Sequence, residues 1–164
     1  MRRMSIRGRG VAVSAAVVLA VACGGDASDG PAGTSASPDA GADWGPLAVV
    51  AAPEGGDDAL ISGTLEIDDR CVLLDEGGEA VLLVWPSATT TWDSSTSAVS
   101  IATPDGQRVA LEDGDTATFS GGGSSVAEGG SSVEEFLAST EWVQAPSPGC
   151  VTDTRWFVTN LTST

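Results

Sequence analysis

The sequence predicts an all-β fold, a small antiparallel barrel or sandwich of about six strands with one short helix near residues 133–139. Three observations carry this expectation. Apolar residues alternate with polar ones at a period of two over most of the second half of the chain. Clusters of Gly, Pro and Asp separate these runs at short intervals, as turns require. Only one segment shows helical spacing, and it lies just before the last strand. That order, together with the glycine-rich corners, points to an OB-like barrel.

Taken in order, Trp44-Gly-Pro-Leu-Ala-Val-Val-Ala opens the apolar material and Pro53-Glu-Gly-Gly-Asp-Asp interrupts it. The β-rich domain spans residues 44–164, with its core over about 59–164. Ile61, Gly63, Leu65 and Ile67 alternate with Ser62, Thr64, Glu66 and Asp68, the pattern of a half-buried strand. Cys71-Val-Leu-Leu, Asp75-Glu-Gly-Gly and Glu79 to Trp85 read as strand, turn, strand, a hairpin that Pro86 ends. Residues 87–96 (SATTTWDSST) read as a loop. Ser97–Thr103 and Gln107–Leu111 flank Pro104-Asp105-Gly106, a turn signal. Thr116–Ser120 is a further strand, and Gly121-Gly-Gly123 with Gly129-Gly130 is expected to be a mobile stretch. Ser132-Val-Glu-Glu135 is a capping box, with Val133, Phe136 and Leu137 on one helical face. Arg155–Leu161 is the final strand.

The N-terminus has a different composition. Arg2, Arg3, Arg7 and Arg9 precede Val11–Val21, an unbroken run of apolar and small residues. The run is too short for a bilayer, which takes about 20 residues, but suits the apolar region of a secretory signal. It meets Leu19-Ala20-Val21-Ala22-Cys23, which resembles the lipobox of bacterial lipoproteins. The resemblance implies cleavage after Ala22, a diacylglyceryl thioether on Cys23, palmitate-type acylation and anchorage to the bacterial cell membrane. Residues 1–22 are then the signal peptide. Residues 23–43 are the lipidated Cys and a flexible acidic linker, because residues 24–43 hold no Val, Ile, Leu, Phe or Trp with which to form a core.

Charge narrows the function. The chain has 7 Lys+Arg, 23 Asp+Glu and no His. Removal of residues 1–22 takes four Arg and no acid, leaving 3 Arg against 23 acids and a net charge of −20. A polyanion does not neutralise phosphates, so nucleic acid is not an expected partner. Without His, imidazole acid–base catalysis and His-ligated metals are excluded.

If Cys23 is acylated, Cys71 and Cys150 remain, and in an exported chain two such residues predict a disulfide. It would close a loop of about 80 residues and pin the C-terminal strand beside the strand that starts at Cys71. Asp57-Asp58, Glu66 with Asp68-Asp69, Asp75-Glu76 and the pair Asp113 and Asp115 offer hard oxygen ligands for Ca²⁺, although none has the D-x-D-x-D-G spacing. Trp92 and Trp142 lie in polar or Pro-rich surroundings and are the candidate ligand-binding tryptophans. Trp85 and Trp156 lie on strands and are expected in the core.

The sequence therefore predicts a lipid-anchored, extracytoplasmic, non-catalytic domain without a cofactor, binding an envelope protein or wall glycan. The alternative is a carboxylate- or metal-dependent hydrolase of the cell envelope.

Overall fold

The computed structural model describes residues 42–52 and 58–164. The expected signal peptide, Cys23 and residues 24–41 of the linker lie outside the described residues. In chain order the strands are β1 (Ala48–Val50), β2 (Ala59–Ile67), β3 (Val72–Glu76), β4 (Glu79–Pro86), β5 (Thr90–Asp93), β6 (Ala98–Ala102), β7 (Arg108–Leu111), β8 (Thr116–Ser125), β9 (Trp142–Gln144) and β10 (Thr154–Ser163). One α-helix, α1 (Val133–Ser139), precedes β9. Ser132 caps it, accepting a hydrogen bond from the Glu135 amide at 3.2 Å, which is the serine half of the expected capping box.

Five strands close into a barrel. β2 pairs with β3, β3 with β4, β10 with β8 and β8 with β2, all antiparallel; β4 and β10 pair in parallel and close the ring. Counted within the ring, the order is 1-2-3-5-4-1, the Greek-key kind of closure expected of an OB-like barrel. Closure removes the unpaired sheet edges that five separate strands would expose. β1 extends the sheet in parallel from the far half of β4, and β9 follows on β1. A separate three-stranded sheet, β5-β6-β7, fills the connection between β4 and β8.

Two apolar layers result, because β4 is buried on both faces. Val81, Leu83 and Trp85 face the barrel interior with Leu65, Leu74, Phe119 and Val158, and the meander adds Val99, Ile101 and Leu111 to the same cluster. Trp85 and Phe119 meet edge to face at 5.5 Å. Leu82 and Val84 face outward, where Ala48, Val50 and Phe136 of α1 cover them.

The structure corrects the sequence reading in several places. Residues 87–96 are not all loop, since Thr90–Asp93 form β5 against β6. Residues 48–50 and 142–144 are strands as well. The stretch expected to be mobile continues β8 through Ser125. Glycines stand there because β10 lies too close for side chains: a Cβ on Gly121 would come within 2.0 Å of the Phe157 carbonyl oxygen, and one on Gly123 within 2.6 Å of the Trp156 ring. Cys71 and Cys150 form the expected disulfide, with Cα atoms 5.4 Å apart. The bridge does not seat the last strand beside the one that follows Cys71, however. β10 pairs with β4 and β8 instead.

Candidate functional site

The candidate site is a groove of about 420 Å³ where three connections meet. The segment before β1 supplies Gly45 and Pro46, the end of β2 and its turn supply Ile67, Asp68 and Asp69, and β5 supplies Trp92. Ser94 and Ser97 of the β5–β6 turn add hydroxyls.

Each wall is held by specific contacts. The Trp92 ring rests on the backbone of Gly45, so closely that a Cβ there would fall 2.3 Å from the indole Nε1. Gly45 also has a φ of +53°, which a residue with a side chain adopts at a cost. The Gln144 side chain on β9 fixes this segment by donating to the carbonyls of Gly45 at 2.8 Å and Leu47 at 3.0 Å. Asp43 accepts from the Gly45 amide at 3.0 Å. On the opposite wall, Asp68 accepts from the amides of Arg70 at 2.8 Å and Cys71 at 2.6 Å. These two bonds, chiefly that from Arg70, hold the Asp68 carboxyl below its ordinary titration range, so it is anionic at neutral pH. The disulfide at Cys71 ties the same turn to the 3₁₀ turn at Pro148–Cys150.

The β5–β6 turn is built the same way. Asp93 accepts from the Ser95 hydroxyl and amide, and the hydroxyl bond foremost lowers its titration range. Trp92 itself is half-buried, packed against the barrel-interior cluster and the Gly45 backbone, and it also lines the groove.

Trp142 is placed differently. Its Nε1 donates to the Leu137 carbonyl at 3.1 Å, and its ring meets Phe136 edge to face at 5.4 Å. The structure thus places Trp92 and Trp142 in separate clusters and on strands rather than in loops. Trp85 is fully buried, and Trp156 is partly buried against the same interior cluster.

Asp113 and Asp115 hold backbone turns. Asp113 accepts from the Ile67 amide and Asp115 from the Glu112 amide, each at 2.8 Å. Among the described residues no group of three or more Asp, Glu or Cys converges as a metal ion would require. The expectation of a Ca²⁺ site at this pair therefore lacks a third carboxylate among the described residues.

Sequence reading missed Arg155. It is fully buried on β10, with its guanidinium 4.6 Å above the Phe136 ring. Nη2 donates to the Ser131 carbonyl at 2.7 Å, while Nε and Nη1 have no hydrogen-bond partner among the described residues. The period-two pattern held the signal, because Arg155 shares a strand face with Phe157, which packs under α1. A smaller cavity of about 190 Å³ lies nearby, lined by Glu76, Ser124, Glu128, Arg155 and Trp156 among others.

Compared with known protein families, curated proteins and solved structures, the chain matches none.

Proposed function

We propose that this protein is a lipid-anchored, extracytoplasmic binding domain without catalytic activity, and that its ligand-contacting surface is the groove beside Trp92. The observation that supports the binding role most directly is the half-buried Trp92 ring, held open to a groove by glycine on one side and by hydrogen-bonded turns around it. Half-open aromatic faces gain binding energy by stacking and desolvation. The disulfide of Cys71 and Cys150 agrees with an oxidising compartment. The lipobox-like run ending at Cys23 supports the anchor, and the acidic, core-free residues that follow support a tether holding the barrel off the bilayer.

Two experiments test the reading. Cells given a labelled fatty acid should label the protein, and Cys23→Ala should abolish the label; label retained in that variant contradicts the anchor. Titration of the full chain with peptidoglycan fragments, which carry both sugars and amines, should quench tryptophan emission in the native chain and not in Trp92→Ala. Quenching that survives in Trp92→Ala would place the contact elsewhere.

A further inference from the structure

Resting on the binding role of the Trp92 groove, we infer that its occupant is a cationic segment of a partner protein, with an Arg or Lys side chain inserted against the Trp92 ring between the carboxylates of Asp68 and Asp69. The groove brings together the two features that bind such a group. An indole face attracts a cation through its quadrupole, more strongly where water is partly excluded. Carboxylates supply the charge and the hydrogen-bond acceptors that a guanidinium or ammonium needs. Asp68 and Asp69 line the groove, Asp93 adjoins Trp92, and Asp43 and Asp113 hydrogen-bond to groove residues.

No cation lines the groove among the described residues, and Arg70 beside it offsets the charge on Asp68 only in small part, as the last of the causes that act on that carboxyl. The described chain carries three cations, Arg70, Arg108 and Arg155, and none of them lines it. Arg70 adjoins the acidic turn, Arg108 reaches the Thr91 hydroxyl, and Arg155 is buried under α1. A neutral sugar would use the ring and the hydroxyls of Ser94 and Ser97 but would leave Asp69 without a counter-charge in the groove and Asp68 with only the weak pull of Arg70. An anionic partner would be repelled by the groove and by the chain as a whole. A peptide fits the site better than a free small cation, because the groove of about 420 Å³ is larger than one Arg side chain and its walls come from three separate connections. A neighbouring backbone can therefore reach the Gly45–Pro46 wall while one side chain enters.

The test is calorimetric titration of the full chain with four probes: a blocked peptide containing four Arg, the same peptide with Gln at each Arg, arginine amide, and the neutral sugar tetra-N-acetylchitotetraose. The Arg peptide should bind and the Gln peptide should not. Affinity should fall about tenfold or more in Trp92→Ala and in the double variant Asp68→Asn, Asp69→Asn. Asn keeps the acceptor that holds the turn, and these positions are exposed, so the double variant tests charge even if Trp92→Ala unfolds. Affinity should also fall as salt rises.

Equal affinity in the Asn variant means diffuse attraction to a polyanion and overturns the inference. Binding of the sugar without the Arg peptide overturns it too, yet leaves the groove as a binding site. Arginine amide binding as tightly as the peptide replaces the peptide partner with a small cation. Failure of the Arg peptide while peptidoglycan fragments still quench Trp92 defeats this inference alone; failure of both defeats the binding role as well.

Discussion

Trp92 and Trp142 are both half-buried, both on short strands, and both packed against a core cluster. Their polar ends distinguish them. Trp142 gives its N–H to the Leu137 carbonyl and its ring edge to Phe136, so it fastens α1 to the sheet. Trp92 lies on a glycine and opens into a groove edged with carboxylates. Fractional exposure would rank the two residues together. The contacts of Trp142 place it in the packing of α1, whereas Trp92 lines the groove on which the proposed recognition rests.

The largest expected effect bears on both regions at once. The disulfide joins residues 79 apart in sequence and ties the acidic turn of the groove to the segment just after β9. Replacing Cys71 and Cys150 with Ala should cost about 4 kcal/mol of unfolding free energy, measured by urea titration. An unchanged midpoint would show that the bridge constrains little.

Next comes Trp142→Ala, which should cost about 3 kcal/mol through lost packing on Phe136 and an unpaired carbonyl at Leu137. It should leave ligand affinity unchanged. Trp92→Ala should remove ligand binding, at a packing cost of about 2 kcal/mol and without orphaning a carbonyl of α1. If both variants lose stability equally and neither loses binding, the contrast between the two tryptophans is wrong.

A smaller effect belongs to Arg155, which shares the layer under α1 with Trp142. A buried guanidinium with two unpartnered N–H groups is costly, and its one hydrogen bond and its contact with Phe136 offset only part of that. Arg155→Met should therefore raise the urea midpoint, by about 1 kcal/mol of stability. A marked loss would mean that the charge is better compensated than its contacts show.

The smallest effect is on acid stability. Asp68 titrates below its ordinary value of 3.8 because the Arg70 and Cys71 amides bind its charged form. A lowered carboxyl contributes stability that is full above the unfolded value and is lost as pH falls through the folded value. Asp68→Asn should lower stability slightly near neutrality, where the carboxylate's contribution is full, leave it unchanged at the acid end, and so flatten the decline below about pH 4. Asp69, Arg70 and Asp113 surround the same turn and remain in place in that variant.

How much of this could be read from the chain follows from where tertiary contacts decide. The β2 alternation from Ile61 to Ile67, the hairpin around Gly77-Gly78 and the Ser132 capping box are local signals, and each appears as read. β5 was hidden because Thr90-Thr91-Trp92-Asp93 is polar on one face and gains its strand character only by pairing with β6. The Gly121–Gly123 run suggests mobility in isolation, but it becomes strand because Trp156 and the backbone of β10 occupy the space that side chains would take. Trp92, Cys71 and Cys150 were legible as residue types. The groove was not, because Gly45, Asp68 and Trp92 meet only after the barrel closes and Gln144 holds the Gly45 segment in place. Arg155 was read simply as the start of a strand; the alternation puts it on the face of Phe157, but that α1 covers that face is settled only by tertiary packing.

The most direct test of the central claim is the affinity of the full chain for the four-Arg peptide, compared between the native protein and Asp68→Asn, Asp69→Asn at matched salt. Salt-sensitive binding that weakens about tenfold in the variant is the predicted result. Binding of equal strength in both proteins, or none to the native chain, would contradict it.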